Sequence, residues 1–142
     1  MATEFKLVSD STPTVYKTMV IASQAYAIGD AVQLSRTTGG VTPATSSTIT
    51  ANIFGVAMET KLSSDTSLLV CTVSDTQTWS ADTTNTANAS HNFQRMALSN
   101  AQTVNNTGTD QTGTSGIFEQ QGILNTTTTR IVGRFLAGRD TT

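Results

Sequence analysis

Ile117-Phe118-Glu119-Gln120-Gln121-Gly122-Ile123-Leu124 is followed, after Asn125–Thr129, by Arg130-Ile131-Val132-Gly133-Arg134-Phe135-Leu136. Both runs are short and rich in β-branched or aromatic residues, and a Thr-rich connector separates them. That pattern reads as a β-hairpin. On the second strand Arg130 and Arg134 fall on one face with Val132 and Leu136, because side chains alternate across a strand. The arginines are placed to pair with Glu119 across the hairpin, for a modest gain.

Working back from this hairpin, the same texture recurs. Ser67-Leu68-Leu69-Val70-Cys71-Thr72-Val73-Ser74 is apolar on both faces at its centre and reads as a central, buried strand. Ile53–Met58 is another apolar segment. Gly29-Asp30 is a turn signal ahead of a strand containing Val32 and Leu34, and Thr37-Thr38-Gly39-Gly40 is a second turn. Val15–Ala22 alternates, with Tyr16, Val20 and Ala22 on one face and Val15, Lys17, Met19 and Ile21 on the other. Phe93–Leu98 reads as a short strand, and Ala97–Thr103 could hold one helical turn. Asp75–Asn92 is polar except for Trp79 and a few alanines, and reads as a long loop. Asn105–Ser115 reads as another. Met1–Thr14 has no period and reads as an extended arm ahead of a single β-rich domain over 15–142.

Composition agrees. Of 142 residues, 29 are Thr, 14 Ser and 8 Asn, while only 13% are charged. Thr suits a pleated strand, and Ser and Asn suit turns. The expected fold class is all-β: a small barrel or sandwich with long polar loops and an extended N-terminal arm.

Charge and motifs argue against several functions. Net charge is −2 and the basic residues are scattered, so no phosphate-binding face and no nucleic-acid partner is expected. No apolar run approaches a membrane span, and Met1–Asp10 lacks the apolar segment of a secretory signal. Cys71, the only cysteine, sits in an apolar run and reads as an inert core residue of a chain made in a reducing cytoplasm. His91 is the only histidine, so Cys and His cannot complete a zinc site. No Gly-x-Ser-x-Gly elbow accompanies His91. Gly108–Ser115 has the glycine spacing of a phosphate loop but Thr114 where lysine is required. Asp75 and Asp82 flank Trp79 in a way that resembles a sugar-binding or hydrolytic group, yet turn acids around a packed aromatic explain them better. No catalytic residue, metal or cofactor is assigned, and an enzyme is not expected.

Several motifs in order resemble a known family. Gly29-Asp30-Ala31-Val32, Phe54-Gly55-Val56-Ala57 and Ser67-Leu68-Leu69-Val70 are similar to a progression found in small head decoration (cement) proteins of tailed bacteriophages. Thr78–Asn85, Leu98–Asn106, and Gly116-Ile117-Phe118 with Arg130–Phe135 resemble further segments of those proteins. The resemblance spans roughly Ala25 to Leu136. It implies a small β-barrel of β-tulip or jelly-roll-like form, and a homotrimer at three-fold positions on the outer capsid surface of the virion, touching several copies of the major capsid protein. It also implies synthesis in the bacterial cytoplasm. Candidate capsid contacts are Phe5, Leu7 and Val8, as apolar anchors of the arm, and Trp79, for which burial in its own core is the competing expectation. The alternative function is a receptor- or glycan-binding β module of a phage tail or surface appendage, which requires an exposed aromatic cluster built from Trp79 and Phe93.

Overall fold

A computed structural model describes residues 5–10, 15–21, 24–107, 110–111, 113–124 and 129–137. The fold is all-β, with two sheets and, among these residues, only two single-turn 3₁₀ helices, Ala89–His91 and Gly113–Ser115. In chain order the strands are β1 (Lys6–Asp10), β2 (Tyr16–Val20), β3 (Ala31–Ser35), β4 (Gly40–Pro43), β5 (Ile53–Ala57), β6 (Ser67–Thr72) and β7 (Gln77–Thr83). Then follow β8 (Arg95–Met96), β9 (Leu98–Asn100), β10 (Thr103–Val104), β11 (Phe118–Ile123) and β12 (Arg130–Phe135).

The five-stranded sheet runs β2-β6-β5-β3-β4, and every neighbouring pair is antiparallel. It curls until its two outer strands meet at a parallel bridge between Ile21 and Val41. The approach there is tight: a β-carbon at Gly40 would overlap the Val20 carbonyl oxygen. The result is a nearly closed barrel. Ile21, Val32, Val41, Ala57, Leu68 and Val70 fill its interior with Tyr26. Tyr26 donates its hydroxyl to Val41 O at 3.0 Å, so its one polar atom is satisfied where it is buried. β5 carries one extra residue opposite Val32–Gln33. This bulge shifts the phase of the strand, so Ile53 and Val56 point out of the barrel while Ala57 points in.

The seven-stranded sheet runs β8-β11-β12-β7-β10-β9, with β1 also paired to β7. All pairs are antiparallel except β10 with β7. Its inner face packs on the outside of the barrel. Ala31, Ala44, Ile53, Val56 and Cys71 meet Phe5, Trp79, Ala81, Met96, Leu98, Val104, Phe118, Ile131 and Phe135 there. Phe135 is the hub. Its ring lies 4.9 Å from Phe5, 5.1 Å from Phe118 and 5.8 Å from Trp79, the last two edge to face. That is a favoured geometry for aromatic quadrupoles.

Several sequence expectations meet their outcome here. The terminal hairpin forms as β11 and β12, with a bulge between Gln120 and Gly122; residues 125–128 of its connector lie outside the described residues. Gly29 takes φ +89° at its turn and Gly39 takes φ +72° at the second. β2 turns Met19 and Ile21 inward and leaves Tyr16 and Val20 exposed. β6 lies between two strands, although Leu69 at its centre is 36% exposed.

Three readings are corrected. Asp75–Asn92 is not a loop throughout, because β7 occupies its first half and takes the middle of the large sheet. Its polar side chains mislead because each finds a partner on burial. Gln77 Nε2 donates to Thr72 O, Ser80 Oγ accepts from Arg130 Nη2, Thr129 donates to Asp82, and Thr83 Oγ1 donates to Asn85 O or Thr129 O. The arm is not free from Phe5 to Asp10: β1 pairs with β7 and Phe5 is buried. Residues 1–4 and 11–14 of the expected arm lie outside the described residues. Ala97–Thr103 holds no helical turn but two short strands, β9 and β10, joined at Ala101-Gln102.

Candidate interaction surfaces

The four candidate contact residues do not share a surface. Phe5 is 2% exposed and packs on Phe118 and Phe135, so it is part of the core. Trp79 is fully buried on β7, and its indole N–H donates to Gln77 Oε1 at 3.1 Å. Neither side chain can reach a partner, because each fills the space between the sheets. Leu7 is half-buried, and Val8 is exposed. Removing the first eleven residues would therefore take away a strand and a core ring, not a detachable arm.

Glu119 and Arg134 are register partners on β11 and β12 and form an ion pair at 2.9 Å. Arg134 Nη1 also reaches Asp75 O at 3.5 Å. Arg130 Nη2 donates to Ser80 Oγ at 2.7 Å. These groups tie the hairpin to its neighbours in the sheet.

The residues weighed for chemistry are held structurally. Asp82 accepts from Thr129 Oγ1, and Asp75 lies beside the β7 turn, so Trp79 between them is packed away from any substrate. Asp110 Oδ1 accepts from the Arg95 backbone N–H at 2.7 Å, and its Oδ2 pairs with Arg95 Nη2 at 3.1 Å. Those bonds, the side-chain one foremost, hold its carboxyl below the usual carboxylate range against a small opposing effect of burial. Cys71 is buried. Among the described residues no three His, Cys, Asp or Glu side chains gather where they would hold an ion, and no helix is long and apolar enough to cross a membrane. Of Gly108–Ser115, residues 108, 109 and 112 lie outside the described ones.

The surface offers apolar groups on several faces. Beside β1 a groove of about 260 Å³ is lined by Phe5, Lys6, Leu7, Ile28, Gly29 and Met58, and Ile28 stands half out of it. On the outside of the barrel Tyr16 and Val20 of β2 are more than half exposed. At the β11 edge Phe93 is 71% exposed. Its backbone takes φ +69°, where the sequence suggested the start of a strand. The chain reverses there: Phe93 N donates to Gln120 O and Gln94 N to His91 O. A lone Phe among Asn, Ser and Gln was the available signal, but the backbone geometry that makes it stand out was not. With Trp79 buried, the exposed aromatic cluster needed for a glycan-binding face does not form around it.

No protein-family model, curated protein or solved structure matches the chain.

Proposed function

We propose that this protein is a structural component of a tailed-phage virion, a decoration protein that binds the outer face of the expanded head and bridges neighbouring copies of the major capsid protein. The observation that carries this reading is the placement of exposed apolar side chains. Val8 and Ile28 lie on or beside β1, Tyr16 and Val20 on β2 of the other sheet, and Phe93 at the β11 edge, so the exposed apolar side chains of this weakly charged β unit do not line one cleft. A bridging element needs contacts on more than one side, whereas the ligand site of a receptor or an enzyme is a single concave pocket. The ordered motifs from Gly29-Asp30 to Arg130–Phe135 support the same reading by resemblance.

The mechanism is state-selective binding. A ligand that binds only the expanded lattice lowers the free energy of that state by mass action, and simultaneous engagement of several subunits multiplies weak contacts into avidity. A homotrimer would match a local three-fold axis of the shell.

Co-sedimentation with purified phage heads tests this. The chain should pellet with expanded heads, saturate at a fixed ratio to the capsid protein, and stay in the supernatant with unexpanded shells, tails and host cells. Pelleting with tails or cells but not with heads would transfer the assignment to a receptor-binding module.

A further inference from the structure

We infer that Phe93 is a preset anchor whose ring inserts into an apolar pocket of another protein, which on the reading above is the outer surface of the capsid shell. Among the described residues Phe93 is the one non-glycine with a positive φ, and it is the most exposed of the large apolar side chains. A bulky residue in the left-handed region is strained. Glycine or asparagine would make the same reversal without that strain. Within its own fold the ring returns little, since most of it stands in water.

The segment carrying it is nevertheless held firmly. Gln120 is fully buried on β11, and its Nε2 donates to Asn88 O at 2.8 Å and to Asn92 Oδ1 at 2.9 Å. Phe93 N donates to Gln120 O at 2.6 Å, and Gln120 N donates to Gln94 O at 3.2 Å. Phe93 is thus clamped from both sides to one residue of the sheet edge. The clamp leaves Gln120 Oε1 buried without a hydrogen-bond partner among the described residues. Strain, an orphaned buried acceptor and an exposed phenyl ring all act against stability at one place. Such costs persist where a side chain is held ready for a partner, because a ring fixed in advance loses less entropy on binding.

The surroundings indicate the chemistry of that partner. Asn88, Ser90, Asn92, Gln94 and Gln121 carry no charge, His91 between them is part-buried, and the nearest charged groups are engaged, Arg95 by Asp110 and Glu119 by Arg134. An aromatic anchor in a polar collar without an unpaired acidic or basic chain has the anatomy of a protein–protein contact. It lacks the cations that would be needed to hold nucleic acid or an anionic membrane.

The test compares the full-length chain with Phe93→Asn and Phe93→Tyr in head co-sedimentation, thermal melting and sedimentation velocity. Phe93→Asn should melt no lower than the parent, keep its oligomeric state, and bind expanded heads at least ~10-fold more weakly. Phe93→Tyr should bind within a few-fold of the parent. Parental binding matched by Phe93→Asn overturns the anchor alone. A change of oligomeric state in Phe93→Asn would put the ring between copies of this chain and also overturns it. A parent chain that ignores heads refutes the proposed function and, with it, the shell as the partner.

Discussion

Replacing Trp79 separates a core residue from a contact residue. The indole is fully buried, meets Phe135 edge to face at 5.8 Å and donates to Gln77 Oε1. Gln77 Oε1 also accepts from Ser74 N at 2.9 Å, so losing the indole N–H leaves no buried acceptor orphaned. The cost of Trp79→Ala is therefore a packing cost, about 3–5 kcal/mol for emptying a buried aromatic site. Domains of this kind have roughly 5–15 kcal/mol in total, so the variant should be marginal. Trp79→Phe keeps a ring against Phe135 and should lose only about 1–2 kcal/mol. Urea unfolding followed by far-ultraviolet circular dichroism reads both, because the signal does not depend on the residue removed. As the sole tryptophan, Trp79 also gives the parent a built-in reporter, shielded from iodide quenching until the chain unfolds. Parental stability in Trp79→Ala, especially with lost binding to heads, would refute the core assignment and return Trp79 to the surface.

Two further perturbations probe the sheet and its edge. A β-carbon at Gly133 would overlap the Glu119 carbonyl oxygen and lie 2.6 Å from Phe118 Cε2, so Gly133→Ala should cost about 2–3 kcal/mol in the same unfolding assay; an unchanged midpoint would show the β11–β12 register to be wrong. The Asp110 carboxyl is held below its ordinary value of 3.8, so its stabilising effect is complete above that value and is lost as pH falls through the lowered one. Asp110→Asn should thus melt slightly below the parent at neutral pH, with the gap closing in acid; a gap that widens in acid would contradict the Arg95 pairing.

How much of this was legible in the sequence depended on how local the cause was. The terminal hairpin, the Gly29-Asp30 turn and the strand β2 are set by residues close together in the chain, and they are found where strand pattern and turn chemistry put them, although β2 is exposed along most of its length. β7 was hidden because Gln77, Ser80, Asp82 and Thr83 look like loop residues until their partners are known, and three of those four have a partner near residue 130. Phe5 was read as part of a free arm for the same reason: the rings that bury it, Phe118 and Phe135, lie more than a hundred residues away. Trp79 is buried because the segment that carries it is the central strand β7 and not a loop. The reversal at Phe93 depends on a backbone angle that no residue type in Asn92-Phe93-Gln94 demands, so the candidate surface it marks had no local signature.

β7 pairs with β1 near the start of the chain, with β10 in its second half and with β12 close to its end. A polypeptide emerging from the ribosome cannot complete this sheet until Phe135 has been made, because β12, the partner of the central strand that lies furthest along the chain from it, ends there. Such non-local pairing folds slowly and leaves unpaired edges exposed meanwhile. Products cut short before β12 should consequently be prone to aggregation, whereas chains that include it gain cooperativity: β1 and β12 become stable together or not at all.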